Sequence, residues 1–191
     1  MVTTNESRLS YDRRQRLGQQ IKVWTVSNFF PIERYYDVAD TVYEEIQQIS
    51  RLVQAQAEAS LTFDDLMNID PSDLIYDSTF NAGLDMTYTY AKRYSMLCVD
   101  AIPNHNYYNT TKYQALKHKH ALQVKKILRL LTVVVEQMDV QEHLLIIIQE
   151  WKENEEQLRL FERHRLVQET DRKSTRLNSS HITPSRMPSS A

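Results

Sequence analysis

The chain contains little glycine and little cysteine. It has two glycines, Gly18 and Gly83. Glycine supplies the positive φ angles that hairpins and tight loops need, so its scarcity favours helices over sheets. It also excludes the glycine-rich loops that bind phosphate. With one cysteine, Cys98, the chain cannot form an internal disulfide, and we therefore expect a reducing compartment.

Long hydrophobic runs and an excess of basic residues are missing as well. No apolar run approaches the roughly 18 residues that a membrane-spanning helix needs. The first ten residues are polar and lack the apolar core of a signal peptide. The 23 basic residues are balanced by 25 acidic ones, for a formal net charge of −2. The composition therefore predicts no transmembrane segment and no nucleic-acid partner.

The end of the chain differs in composition from the rest. Residues 171–191 read DRKSTRLNSSHITPSRMPSSA, rich in Ser, Thr, Pro and Arg and without periodicity. The first eleven match the translation of a sequencing adapter, and the part from Ser185 resembles a later stretch of the adapter in a shifted frame. We predict an adapter-derived, disordered tail, with the natural protein continuing beyond Thr170; a natural basic tail is the alternative. Without these residues, 19 basic and 24 acidic residues leave a charge of −5.

Helical periodicity is the strongest local pattern. Apolar residues recur every three or four positions over residues 32–53, 79–101 and 110–167, which is typical of amphipathic helices. A shorter helix is predicted over residues 9–26, and a long loop with one helical turn over residues 61–77. No proline lies between Pro103 and Pro184, so the last helix can be very long, with a bend near residues 137–140. The predicted fold class is all-α: an antiparallel helical bundle with a long C-terminal helix or coiled-coil extension.

This pattern divides the chain into four parts. They are an N-terminal arm (1–27), a helical bundle (28–140) with an insertion at 51–78, a charged helical extension (141–170) and the tail (171–191). Charges are interleaved through the extension, as in an exposed or coiled-coil helix. The insertion mixes apolar and acidic residues, so it either packs against a helix or binds a partner.

The candidates for chemistry are few. The pair in His118-Lys119-His120 would point about 200° apart on a helix, so it cannot converge on one metal ion. The Ser and Asp that would complete a metalloprotease site after such a pair are replaced by Leu128 and Leu131. We therefore predict a solvated helix face here. Cys98 lies on an apolar stripe with no base at a recognisable spacing, which predicts a core residue. The prediction is that this chain is not an enzyme and needs no cofactor.

A basic run begins the last helix. It consists of Lys117, Lys119, Lys125, Lys126 and Arg129. It is either a solvated face or a surface that meets acidic lipid or an acidic partner helix.

Three motifs stand out among these elements. The first, at the start of a helix, has Pro31, Ile32, Tyr35, Tyr36, Ala39 and Asp40; the second has Arg93, Tyr94, Ser95 and Leu97; the third has Ile102, Pro103, His105 and Tyr108. In this order, and followed by a long helix, they resemble the N-terminal domain of AMSH-type ubiquitin isopeptidases. That MIT-like module is also known as the ubiquitin-protease dimerisation domain. The resemblance covers roughly residues 28–140, and the insertion at 51–78 departs from the family pattern.

The resemblance implies a non-catalytic adaptor. Modules of this family bind helical tails of ESCRT-III subunits in grooves between helices and place a deubiquitinase at endosomes. It implies a cytoplasmic, endosome-associated protein with peripheral membrane association, whose zinc-dependent catalytic domain lies outside this chain. The motif residues are either framework residues of the bundle or contacts to the partner. The alternative function is a helical dimerisation scaffold that binds no ESCRT tail.

Overall fold

The computed structural model describes residues 9–57, 62–66 and 68–179. They form five α-helices: α1 (Tyr11–Gln20), α2 (Ile32–Ala57), α3 (Phe63–Leu66), α4 (Ser78–Met96) and α5 (Gln114–Ser179). These residues include no strand, which confirms the all-α fold with a long C-terminal helix. The chain divides into two compact units, Met1–Ile146 and Ile147–Ala191. The second unit contains the C-terminal part of α5.

The first unit is built on an antiparallel pair, α2 and α4, packed with the first part of α5. One core cluster joins the beginning of α2 to the end of α4 and to α5, with Ile32, Tyr36, Tyr94, Leu97 and Ile127 all at most 2% exposed. A second cluster joins the end of α2 to the beginning of α4, and includes Val53, Phe80, Leu84, Val134 and Met138. Because each cluster contains residues of all three helices, α2 and α5 run in the same direction and α4 runs opposite to them.

Capping and turn residues set the limits of these helices. Pro31 directly precedes α2, where a proline suits the helix start. Asp77 caps α4 by accepting hydrogen bonds from the backbone of Thr79 (2.8 Å) and Phe80 (3.0 Å). The α-helix α4 ends at Met96, earlier than the predicted 101, and continues as a π-helical turn over Leu97–Ala101. Two 3-10 turns, Ile102–Asn104 and Thr111–Tyr113, then lead into α5.

Helix α1 is shorter than predicted, because the chain becomes extended at Ile21. The sequence after Gln20 is rich in β-branched residues, which lose side-chain freedom in a helix. Arg13 attaches α1 to the bundle, and this residue is only 9% exposed. Its guanidinium donates to Asp85 (2.7 Å), Asn81 (2.8 Å) and Glu142 (3.2 Å). One side chain therefore connects α1 to α4 and α5.

The predicted insertion at 51–78 overlaps the end of α2. Helix α2 continues to Ala57, and the next described segments are α3 and a 3-10 turn at Pro71–Asp73. Leu66 and Leu74 are buried, while Ile75 is 82% exposed. The described part of this segment thus packs partly against the bundle.

Helix α5 extends without interruption through residues 137–140 and through the β-branched runs near 133 and 146. It also includes residues 171–179, the first part of the predicted tail. A helix that has formed adds one hydrogen bond for each residue it adds. Residues 180–191, the rest of the predicted tail, lie outside the described residues.

Candidate functional site

A cavity of about 340 Å³ lies between α2, the π-helical turn that follows α4, and α5. Its walls come from four parts of the sequence: Tyr36, Cys98, Val99, Pro103, Tyr108, Lys117, His120, Ala121, Val124 and Lys125. Tyr36 comes from α2, and the π-helical turn contributes Cys98 and Val99. Helix α5 contributes Lys117, His120, Ala121, Val124 and Lys125. Three motif residues of the sequence, Tyr36, Pro103 and Tyr108, thus meet at one place.

His120 forms part of the cavity wall and is only 3% exposed. The prediction of a solvated face is therefore wrong for this residue, although His118 and Lys119 are exposed. About one helical turn separates successive members of the inner face of α5: Leu116, His120, Val124 and Ile127. This spacing was not evident from the sequence, because lysines lie next to these residues.

His120 is held by two tyrosines. Its ring stacks on Tyr36, with centroids 4.9 Å apart, and its Nδ1 lies 3.0 Å from Tyr94 Oη. The Tyr94 hydroxyl also lies 2.9 Å from Gln123 Oε1. On the other side of the ring, His120 Nε2 lies 3.8 Å from Asp40 Oδ1.

The electrostatics of this cluster keep its members neutral. Burial lowers the pKa of His120; the nearby Asp40 opposes this shift and Lys119 reinforces it. Burial raises the pKa of Tyr36 to about 12 and also raises that of Tyr94. Among the described residues, neither Tyr36 Oη nor His120 Nε2 has a hydrogen-bond partner, although both atoms are buried. Tyr36 and His120 form part of the cavity wall, and Tyr94 lies behind them in the core.

Cys98 also belongs to the packing. It lies half-buried against the first core cluster, and burial raises the pKa of its thiol to about 11. A thiol with such a pKa is almost entirely protonated at neutral pH, so it is a poor nucleophile. The predicted core position thus agrees with where the side chain lies.

Lysines occupy the open side of the cavity. Lys117 Nζ lies 4.1 Å from the centre of the Tyr108 ring, and Lys125 follows two turns later on α5. Lys119 points to a different neighbour, with Nζ 2.6 Å from Asp40 Oδ2. In the basic run of α5, Lys119 thus forms an ion pair with α2, whereas Lys117 and Lys125 lie at the edge of the cavity. An apolar wall beside ammonium groups suits an amphipathic, acidic ligand.

The other motif residues lie outside the cavity wall. Tyr35 Oη donates to Ser27 O (3.0 Å), and Pro31 is exposed at the start of α2. His105 is buried and closes the turn before α5: its Nδ1 accepts from the backbone N–H of Tyr107 (3.2 Å), and its Nε2 donates to Phe30 O (2.9 Å). Arg93 lies near the Tyr90 ring, 6.0 Å from its centre. These contacts organise the chain around the cavity.

The described residues include no group of three His, Cys, Asp or Glu side chains that could hold a metal ion. They also contain no helix with the length and hydropathy needed to cross a bilayer. Comparisons of the chain with known protein families, with curated proteins and with solved structures find no match.

Proposed function

We propose that this chain is the non-catalytic adaptor module of an AMSH-like deubiquitinase, and that it binds the helical tail of an ESCRT-III-type subunit. The cavity between the π-helical turn and α5 carries the proposal. Its floor and walls include apolar side chains such as Val99 and Val124, and Lys117 and Lys125 lie beside them. A helix that has leucine-like side chains on one face and carboxylates beside them complements this surface.

The geometry of α5 supports helix-in-groove recognition. Lys117, Ala121, Val124 and Lys125 are spaced at i, i+4, i+7 and i+8, so they form one continuous strip along the helix. Val99, which is 57% exposed, borders the strip from the π-helical turn. The stacked rings of Tyr36 and His120 form the wall of the cavity beside this strip. A groove that is already formed loses little conformational entropy when it binds a partner.

The proposal is tested by fluorescence anisotropy with a panel of labelled ESCRT-III tail peptides. We expect micromolar binding of at least one peptide. The substitution Val99→Asp should weaken it about tenfold or more, because it places a carboxylate in the apolar contact and repels an acidic peptide. Met86→Asp is the matched control, since Met86 is 48% exposed on α4, away from the cavity. No binding by any peptide at high micromolar concentration would contradict the proposal.

A second candidate function is a dimerisation scaffold. The observation that favours it is confined to the second unit, where Leu158, Phe161, Leu166 and Val167 are each at least 57% exposed. Leu158 and Phe161 are three residues apart, the spacing of a coiled-coil seam. Light scattering on the full chain distinguishes the candidates. A dimer that dissociates in the Leu158→Glu, Phe161→Glu double variant, together with absence of peptide binding, supports the scaffold.

A further inference from the structure

Tyr36 brings an unused hydrogen-bond donor to the wall of the cavity. The residue is only 2% exposed, and among the described residues its hydroxyl has no hydrogen-bond partner. Buried polar groups are nearly always hydrogen-bonded, because an unpaired one has lost its contacts with water and gained nothing in return. A ligand that enters the cavity with an acceptor atom would supply the missing partner.

The Tyr36 hydroxyl faces other residues of the same wall. Burial, and then the nearby Tyr108 and Cys98, raise the pKa of Tyr36 to about 12. The electrostatic effect of Tyr108 and Cys98 requires that their polar atoms lie close to this hydroxyl, and both residues line the cavity. The phenol is therefore protonated at neutral pH, and it is a donor directed toward the cavity.

Positive charge lies beside these phenols. The ammonium of Lys117 is 4.1 Å from the centre of the Tyr108 ring. Lys125 belongs to the same wall, whose residues include no Asp or Glu. Two carboxylates lie close by but outside the wall: Asp100 is exposed in the π-helical turn, and Asp40 already has a lysine partner at 2.6 Å. The cavity therefore combines phenol donors with positive charge.

We propose that the cavity receives a carboxylate side chain, Glu or Asp, of the partner helix, and that Tyr36 selects it. The carboxylate accepts a hydrogen bond from the Tyr36 hydroxyl, and the ammonium of Lys117 balances its charge. An apolar side chain in the same place would leave the hydroxyl unpaired, and a neutral amide would gain less from the lysine. This role rests on the proposed adaptor function, and it makes Tyr36 a specificity-determining residue as well as part of the framework.

The first test is Tyr36→Phe, which removes the hydroxyl and keeps the ring that stacks on His120. Anisotropy is measured on the full chain with the ESCRT-III tail peptide that binds the wild type most tightly. We expect binding to weaken about tenfold, the effect of losing one hydrogen bond to a charged group. Tyr43→Phe is the matched control and should bind like the wild type. Tyr43 lies two turns further along α2, outside the cavity wall, and its hydroxyl accepts from Gln47 Nε2 at 2.9 Å.

A double-mutant cycle identifies the group of the peptide that meets Tyr36. Each Glu or Asp of the peptide is replaced in turn by Gln or Asn. At one position the replacement should weaken binding to the wild type about tenfold, but binding to Tyr36→Phe only about threefold, because the hydrogen bond is already lost there. Thermal unfolding adds a measurement without peptide. Tyr36→Phe should unfold at the same temperature as the wild type or a higher one, because it no longer buries an unpaired hydroxyl.

The outcomes separate this role from the adaptor function. Wild-type affinity in Tyr36→Phe, or equal losses in both proteins at every peptide position, would overturn the role of Tyr36 and leave the adaptor function standing. A marked drop in the unfolding temperature of Tyr36→Phe would overturn it as well, since the hydroxyl would then have a partner within the protein. Absence of binding by any peptide would overturn both proposals.

Discussion

His120 is the residue that most clearly links the core to the proposed binding surface. It forms part of the cavity wall, stacks on Tyr36 and contacts Tyr94, so it touches two of the sequence motifs at once. Its imidazole is neutral because burial lowers its pKa. Protonation would place a cation among buried aromatic rings, with only Asp40, already paired with Lys119, to balance it.

This arrangement predicts how stability depends on pH. The unfolded histidine takes up a proton near its ordinary pKa of about 6.5, while the folded one does so only at lower pH. The unfolded state therefore binds more protons between those two values, and the free energy of unfolding falls as the pH is lowered through this window. Urea unfolding at several pH values measures the effect.

The variant His120→Gln should lose this component of the pH dependence. His118→Gln is the control, because His118 is exposed on the same helix and should leave the curve unchanged. If the free energy of unfolding of His120→Gln falls as steeply below pH 7 as that of the wild type, His120 is not the group responsible.

Among the elements, α1 is attached to the bundle by two buried polar groups. It is short and mostly exposed; the backbone N–H of Ser10 donates to Asp139 Oδ1 at 2.8 Å, and the guanidinium of Arg13 is buried. The partners of this group, Asp85 and Glu142, lie on α4 and α5 and are themselves partly buried. A planar guanidinium presents five donors in a fixed fork that matches carboxylates, whereas a lysine ammonium is a compact charge with three donors on a flexible stem.

Removing this group should be costly. Arg13→Ala leaves partly buried carboxylates without their counter-ion, so we expect the free energy of unfolding to fall by about 2 to 4 kcal/mol. Arg13→Lys should lie between Arg13→Ala and the wild type. Arg16→Ala, at an exposed position of α1, should change the free energy of unfolding by less than about 0.5 kcal/mol. Urea denaturation of the three variants tests this, and equal effects of the two alanine variants would contradict it.

Elements with strong periodicity were predictable from the sequence, and irregular ones were not. The stripe that begins at Ile32 and the absence of proline after Pro103 correctly predicted α2 and α5. The π-helical turn at Leu97–Ala101 was missed because its sequence continues the α-helical pattern of α4. The cavity could not be predicted either, because Tyr36, Cys98 and His120 are far apart in the sequence and only tertiary packing brings them together.

At the scale of the whole molecule, the first unit offers a cavity beside α5 that has lysines next to apolar walls. Its walls come from parts of the chain that are far apart in the sequence, so this surface exists only in the folded bundle. Under the proposed function, a peptide helix lies in this cavity.

The most direct test of the adaptor function is an NMR footprint of an ESCRT-III tail peptide on the isotope-labelled full chain. The account predicts that the largest shift changes occur at Val99, Ala121 and Val124, with smaller ones at Lys117 and Lys125 along the same strip of α5. Changes concentrated on α1 or on the exposed face of α4, or no changes at saturating peptide, would contradict it.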